Sequence, residues 1–214
     1  PAGAGAVRLA GGDPDAGREP YFTGNPDMGN EGRFAPSLSG VGRKLTPAWL
    51  KKVMNGEGDM RPYIRTRMPA FGIQNLKRLP DDLLAADGGI QGNTDAIFAG
   101  GDAEAGRKLL STQGGLSCIT CHRLRGHASL GMDAMDIGNA TERLQPEWFK
   151  FHMLNPASLR PGTMMPSFYE DGKNSLKDIF DGDADRQIAS MWVYLRDGKK
   201  EPDGYPPALS TYEL

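Results

Sequence analysis

Cys118-Ile119-Thr120-Cys121-His122 holds both cysteines of a 214-residue chain. A bridge between two thiols three residues apart closes almost no loop, so it cannot staple a fold together. Thiols this close serve as a redox pair, as half of a metal site or as an attachment point. Around them the chain is ordinary in charge: net −2 with a pI near 6.0. That balance excludes a basic nucleic-acid binder and an acidic disordered tail. No apolar run reaches the roughly 18 residues that a membrane span needs. At about 150 residues per domain the length allows one or two domains. Val and Ile together number only 12, thin material for sheets, whereas Leu, Ala and Met are plentiful beside 29 glycines. That stock suits short helices joined by glycine-rich loops, and the expected class is all-α.

The five-residue motif carries the chemistry. Cys-x-x-Cys-His is the pattern of covalent c-type haem attachment. Two thiols must add across two vinyl groups on one edge of a porphyrin, and one helical turn presents both sulfurs to it. The next residue, His122, is then brought beneath the ring to bind iron. A thioredoxin-like dithiol would need a strand–helix context, whereas Gly114-Gly115 here follows a helical pattern. A structural zinc site needs four ligands, and there is no second cysteine pair; His127 and His152 would have to complete it. For the other axial position the sequence offers Arg160-Pro161-Gly162-Thr163-Met164-Met165-Pro166. Flanking prolines stiffen such a loop, and a thioether is a soft ligand that raises the reduction potential. The expected distal ligand is Met165, with Met164 the neighbour to exclude; His127 and His152 stand as alternative ligands, each expected rather on the surface or in packing.

The chain repeats itself. Gly12-Asp13-Pro14-Asp15-Ala16-Gly17-Arg18 matches Gly101-Asp102-Ala103-Glu104-Ala105-Gly106-Arg107 at an offset of 89, and Leu45-Thr46-Pro47-Ala48-Trp49 matches Leu144-Gln145-Pro146-Glu147-Trp148 at 99. Arg61-Pro62 and Met68-Pro69 match Arg160-Pro161 and Met165-Pro166 at 99 and 97. After a lead-in over 1–12, the two copies meet near residues 88–100. Asp102 caps a helix expected over 103–113, and Pro47 and Pro146 open helices over 47–55 and 146–154. The clearest helix runs from Asp183 to Gly198, with Ile188, Met191, Trp192 and Leu195 as its apolar stripe and the acidic group Asp178, Asp181, Asp183 and Asp185 capping and solvating its start. Helices so short would make a poor core unaided, so something else is expected to fill the middle.

Residues 101–200 resemble a class I c-type cytochrome domain, through the haem motif, the Gly-Thr-x-Met loop ending at Met165 and the paired terminal helices. Glu-Trp-Phe, Asn-Pro and Arg-Pro-Gly-Thr-x-Met-Pro are similar to cytochrome domains of larger bacterial proteins. The resemblance implies a cytochrome c-like helical domain around one haem c, held by Cys118 and Cys121 and ligated by His122 and Met165. It implies that Gly106, with Leu109 or Leu110, meets Trp192 or Tyr194 at the crossing of the terminal helices. The family's proline, whose carbonyl holds the proximal histidine, is missing here, and Ala128 is expected to offer its carbonyl instead. The implied function is outer-sphere electron transfer rather than catalysis, with a redox protein as partner, no nucleic acid, and a periplasmic or otherwise extracytoplasmic location. Alternatives are a haem-bearing subunit or domain of a larger oxidoreductase, a haem-based gas sensor, and a binding module in which the haem is structural.

Residues 1–90 read as a degenerate cytochrome-like copy that binds no haem. All three histidines lie in the second half, Gly24-Asn25-Pro26-Asp27-Met28-Gly29-Asn30 stands where the haem motif would be, and Pro20 interrupts the first helix. Met68 is expected to pack as an ordinary side chain, with the vacated space filled. Residues 201–214, with Pro202, Pro206 and Pro207, read as a tail or linker. The halves carry 12 Lys and Arg against 11 Asp and Glu, then 13 against 16, so neither makes a strong steering field. Arg61, Arg65 and Arg67 are expected to form a solvated basic patch.

Overall fold

A computed structural model describes residues 28, 31–32, 34–58, 60–61, 63–64, 68–69, 71–72, 74–88 and 95–205. The expected lead-in, the Asp13–Arg18 helix start, Pro20, the 24–30 stretch apart from Met28, Pro62, Arg65, Arg67 and the end beyond 205 lie outside them. The described residues form helices, 3-10 turns and isolated β-bridges, with no strand among them. The class is all-α. None of these helices is long and apolar enough to cross a membrane.

In the first copy the helices are α1 (Val41–Lys44), α2 (Pro47–Met54) and α3 (Leu79–Ala86). In the second they are α4 (Ala103–Leu110), α5 (Cys118–Cys121), α6 (Ala140–Arg143), α7 (Pro146–Leu154), α8 (Pro156–Leu159) and α9 (Ala184–Asp197). The Asp102 carboxylate accepts from the Ala105 N–H at 2.7 Å and that of Asp183 from the Arg186 N–H at 3.0 Å, so both expected caps form. Pro47 and Pro146 open α2 and α7, where a missing N–H costs nothing. Helix α4 stops three residues earlier than 113. The Ser111 hydroxyl donates to the Arg107 carbonyl and accepts from the Asp203 N–H at 2.8 Å, while the Thr112 N–H turns to the Asp203 carbonyl. Residues 201–205, expected to begin a tail, therefore pack back on α4. Arg107 also holds the Asp203 carboxylate at 2.6 Å, and Pro202 is buried.

The main core lies where α4 crosses α9. Leu109 and Leu110 of α4 and Ile188, Met191, Trp192 and Leu195 of α9 are buried, as the stripe requires. Trp192 stacks on Phe98 at 5.0 Å between centroids and meets Phe149 of α7 at 5.1 Å. Gly106 sits at the crossing. A Cβ there would run into the Ser190 carbonyl and stand 2.6 Å from the Tyr194 Cβ, so close approach requires glycine.

The two copies meet through their matching segments. Leu45 and Leu144 form an antiparallel bridge. The Thr46 N–H donates to the Arg143 carbonyl at 2.9 Å, and the Gln145 N–H to the Lys44 carbonyl at 2.8 Å. These partners are equivalent at the 99-residue offset, so the contact is self-complementary in the manner of a two-fold interface. Side chains reinforce it: the Thr46 hydroxyl donates to the Glu142 carbonyl and the Gln145 amide to the Leu45 carbonyl. Helix α3 packs on α1 as α9 packs on α6. Met68, expected in packing, is 53% exposed instead.

Gly106→Ala should destabilise the fold by about 1–3 kcal/mol through overpacking. Urea unfolding should show a lower midpoint at unchanged slope; an unchanged midpoint would mean that α4 and α9 separate at no cost.

Candidate functional site

The Cys-x-x-Cys segment is a single helical turn, α5, fixed from both ends. Before it, the Leu116 N–H donates to the Leu109 carbonyl at 2.7 Å and the Ser117 N–H to the Ser111 carbonyl at 3.1 Å. Gly115 permits this return: a Cβ there would strike the carbonyls of Lys108 and Ser111. Within the turn Ile119 is fully buried, anchoring it to the core. After it, the Leu130 N–H donates to the Ile119 carbonyl and the Ala134 N–H to the Cys121 carbonyl. Cys118 and Cys121 are unbridged, and burial pushes the Cys118 thiol up to about 12.

His122 closes the turn, its N–H on the Cys118 carbonyl at 2.9 Å. Its Nδ1 lies 3.0 Å from the Met135 carbonyl. Since a carbonyl can only accept, Nδ1 carries the proton and Nε2 keeps its lone pair. Burial lowers the pKa of this imidazole and favours the neutral form. The carbonyl expected from Ala128 is thus supplied by Met135. The intervening chain makes a tight Leu124–His127 turn and returns as a parallel bridge between His122 and Ala134, which carries Met135 to the ring.

Against His122 lies a cavity of about 820 Å³, walled by Met135, Ile137, Leu144, Trp148, Phe149 and Met165 among others. Met165 faces it, whereas Met164 is 54% exposed and absent from its wall. Cys118 and Cys121 are not part of the wall either; they stand on the turn that leads into His122. The Met165 loop is tied down from the first copy. The Met165 N–H reaches the Thr163 hydroxyl at 3.3 Å, the Thr163 hydroxyl reaches Glu31 at 3.2 Å, and Glu31 pairs with Arg160 at 3.1 Å.

His152, expected in packing, lines the same cavity and stacks on Trp148 at 4.7 Å. Its Nδ1 is buried without a hydrogen-bond partner, and burial, helped by the nearby Lys44, His122 and Arg143, pulls its pKa down to about 3. His127 lies apart, over Tyr205 at 5.3 Å and near Glu201. Among the described residues no three His, Cys, Asp or Glu side chains gather as a metal cluster, so the four donors of the zinc alternative do not come together there.

The sequence reading missed the charged part of the wall. Lys44, Arg61 and Arg143 line the cavity. Arg143 is 6% exposed, with its Nε unpartnered. Burial and the Arg61 guanidinium pull Arg143 down to about 10; burial with Arg61 and Arg143 pulls Lys44 down to about 7. Lys44 and Arg143 precede the matched Leu45 and Leu144, so extending the repeat by one residue would have found both.

Comparison with protein-family models, with curated proteins and with solved structures finds no match to this chain.

Lys44 gives the chain a pH signature when no cofactor is attached. Its folded pKa, about 7, lies below the unfolded value of 10.5, so between them the unfolded state holds a proton that the folded state has released. Stability should therefore rise with pH from about 7. Above about 9 the raised Cys118 thiol opposes it. Urea titrations of the cofactor-free chain should show this rise between pH 7 and 9, and Lys44→Met should flatten it; equal slopes in both proteins would refute the assignment.

Proposed function

We propose that the chain is an electron-transfer protein carrying one haem c, with Cys118 and Cys121 as thioether anchors, His122 as proximal and Met165 as distal ligand. The observation that carries this reading is the shared cavity. Met165 and His122, the latter with its Nε2 lone pair left free by the Met135 carbonyl, border one space of about 820 Å³, within the roughly 300–1,000 Å³ of ligand pockets. The orphaned Nδ1 of His152 and Nε of Arg143 are further signs of a wall built against a bound group.

When bound, the haem supplies an iron that gains and loses one electron, and a thioether ligand favours its reduced form. The protein's part is positioning and insulation. The Met135 carbonyl fixes the tautomer and plane of the His122 ring, as outer partners of metal-binding histidines do. The Thr163–Glu31–Arg160 chain holds the Met165 loop against the cavity. Ile137, Leu144 and Phe149 present apolar surface that keeps water away.

In this reading residues 101–200 are a class I cytochrome-like domain, and the α4–α9 crossing at Gly106 and Tyr194 is the feature of the fold that agrees best with it. Residues 1–90 are its haem-less copy. The chain is a carrier or a domain of a larger oxidoreductase rather than a catalyst, meets redox proteins, and acts outside the cytoplasm, where haem c is attached. 

Matured in a host that attaches haem c, the chain should carry one covalent haem by intact mass and by its reduced-minus-oxidised spectrum. Cys118→Ala or Cys121→Ala should lower attachment, and His122→Ala should disrupt ligation. An unmodified chain would overturn the proposal. Met165→Ala should abolish the methionine-to-ferric-iron charge-transfer band and lower the potential, with Met164→Ala retaining the band; the reverse pattern would reassign the ligand to Met164.

A further inference from the structure

Three cations from the two copies share one wall of the cavity. Lys44 and Arg143 end α1 and α6 at equivalent positions of the repeat, and their carbonyls are the two acceptors of the reciprocal pair that joins the copies. Arg61 lines the same cavity and hydrogen-bonds Tyr63.

Among the described residues, the acidic side chains of the wall make no ion pair with Lys44 or Arg143. Glu31 is engaged by Arg160 and Thr163, Asp87 accepts from the Gly42 N–H at 2.7 Å, and Glu147 lies in the first turn of α7. The Lys44 ammonium stands over the Trp148 ring at 4.7 Å and makes no ion pair with a described residue. Arg143 is buried with an unpartnered Nε. Like charges held together away from water are costly unless an anion joins them. Burial first, and then the Arg61 and Arg143 charges, hold the Lys44 pKa below its ordinary value.

We propose that Lys44, Arg61 and Arg143 receive the two carboxylates of the haem, so that the haem-less copy completes the haem site. This rests on the haem reading above. The wall suits that occupant. It offers Lys44 and Arg143 at equivalent positions, with Arg61 beside them, to a ligand with two carboxylates, and a guanidinium meets a carboxylate through paired N–H donors. The first copy is then part of the haem's enclosure, and its lack of cysteine and histidine is no bar to that role.

The test uses the matured, haem-loaded protein. Lys44→Met and Arg61→Met should each shift the propionate bending bands in the resonance Raman spectrum and lower the midpoint potential, since removing a cation disfavours the added electron. Lys44→Arg should restore the potential, and Lys52→Met, on the exposed face of α2, should leave both readouts unchanged. Arg143→Lys keeps the buried charge where Arg143→Met fails to fold, and should still shift the bands by removing the fork. Haem attached in every variant with unmoved bands overturns this inference and leaves the haem reading standing. Stabilisation of the loaded protein by inorganic phosphate, lost in Lys44→Met, would mean that a free anion fills the wall and would overturn it too. A wild-type chain without covalent haem would overturn both.

Discussion

Two hydrogen bonds, from Thr46 N–H to the Arg143 carbonyl and from Gln145 N–H to the Lys44 carbonyl, join the copies at their equivalent segments. Each is an ordinary backbone bond, worth on the order of 1 kcal/mol net. Their reciprocity matters more than their strength. It fixes α1 beside α7 and sets Lys44 over the Trp148 ring. A shift of register by one residue would break both bonds and draw Lys44 away from the cavity. The position of the charged wall thus depends on a backbone match written into the repeat itself.

The core and the cavity answer different needs. The α4–α9 crossing is a dry interface, closed by Gly106 and filled by Leu109, Ile188 and Trp192. The space beside His122 is different: it is a partly open cavity of about 820 Å³ with apolar and cationic side chains on its wall. Short helices such as α5 and α6 have too few side chains to fill it. A planar, mainly apolar group with acidic ends, as in the proposed haem, would meet both the apolar and the cationic parts of that wall.

What could be read beforehand was local. Caps at Asp102 and Asp183, prolines at the starts of α2 and α7 and the stripe of α9 each follow from a few neighbouring residues. Of the two adjacent methionines, Met165 faces the cavity and Met164 is exposed. Contacts across the chain were not legible. Glu31 reaches Thr163 over 132 positions, and nothing in the spacing of a single glutamate announces that. The carbonyl that holds His122 comes from Met135 rather than Ala128 because the path of the intervening turn decides which peptide faces the ring. Residues 201–205 read as a tail from their prolines, yet the Arg107–Asp203 pair and the Ser111 hydroxyl draw them back.

The asymmetry between the copies has a physical logic. In the second, Met165 lies at the cavity with Thr163 tied to Glu31, whereas the matching Met68 is exposed. Glu31 itself belongs to the first half of the chain, so that half holds the Met165 loop of the second. The same holds for charge, where Lys44 and Arg61 stand beside Arg143. A copy that has neither thiol nor imidazole therefore still bears on the properties of the site, through the loop it anchors and the field it imposes. For the proposed haem both would matter: the loop would set whether Met165 stays in place, and a nearby cation would favour the form that holds the extra electron. Sequence change in the first copy would act on the second without touching a ligand.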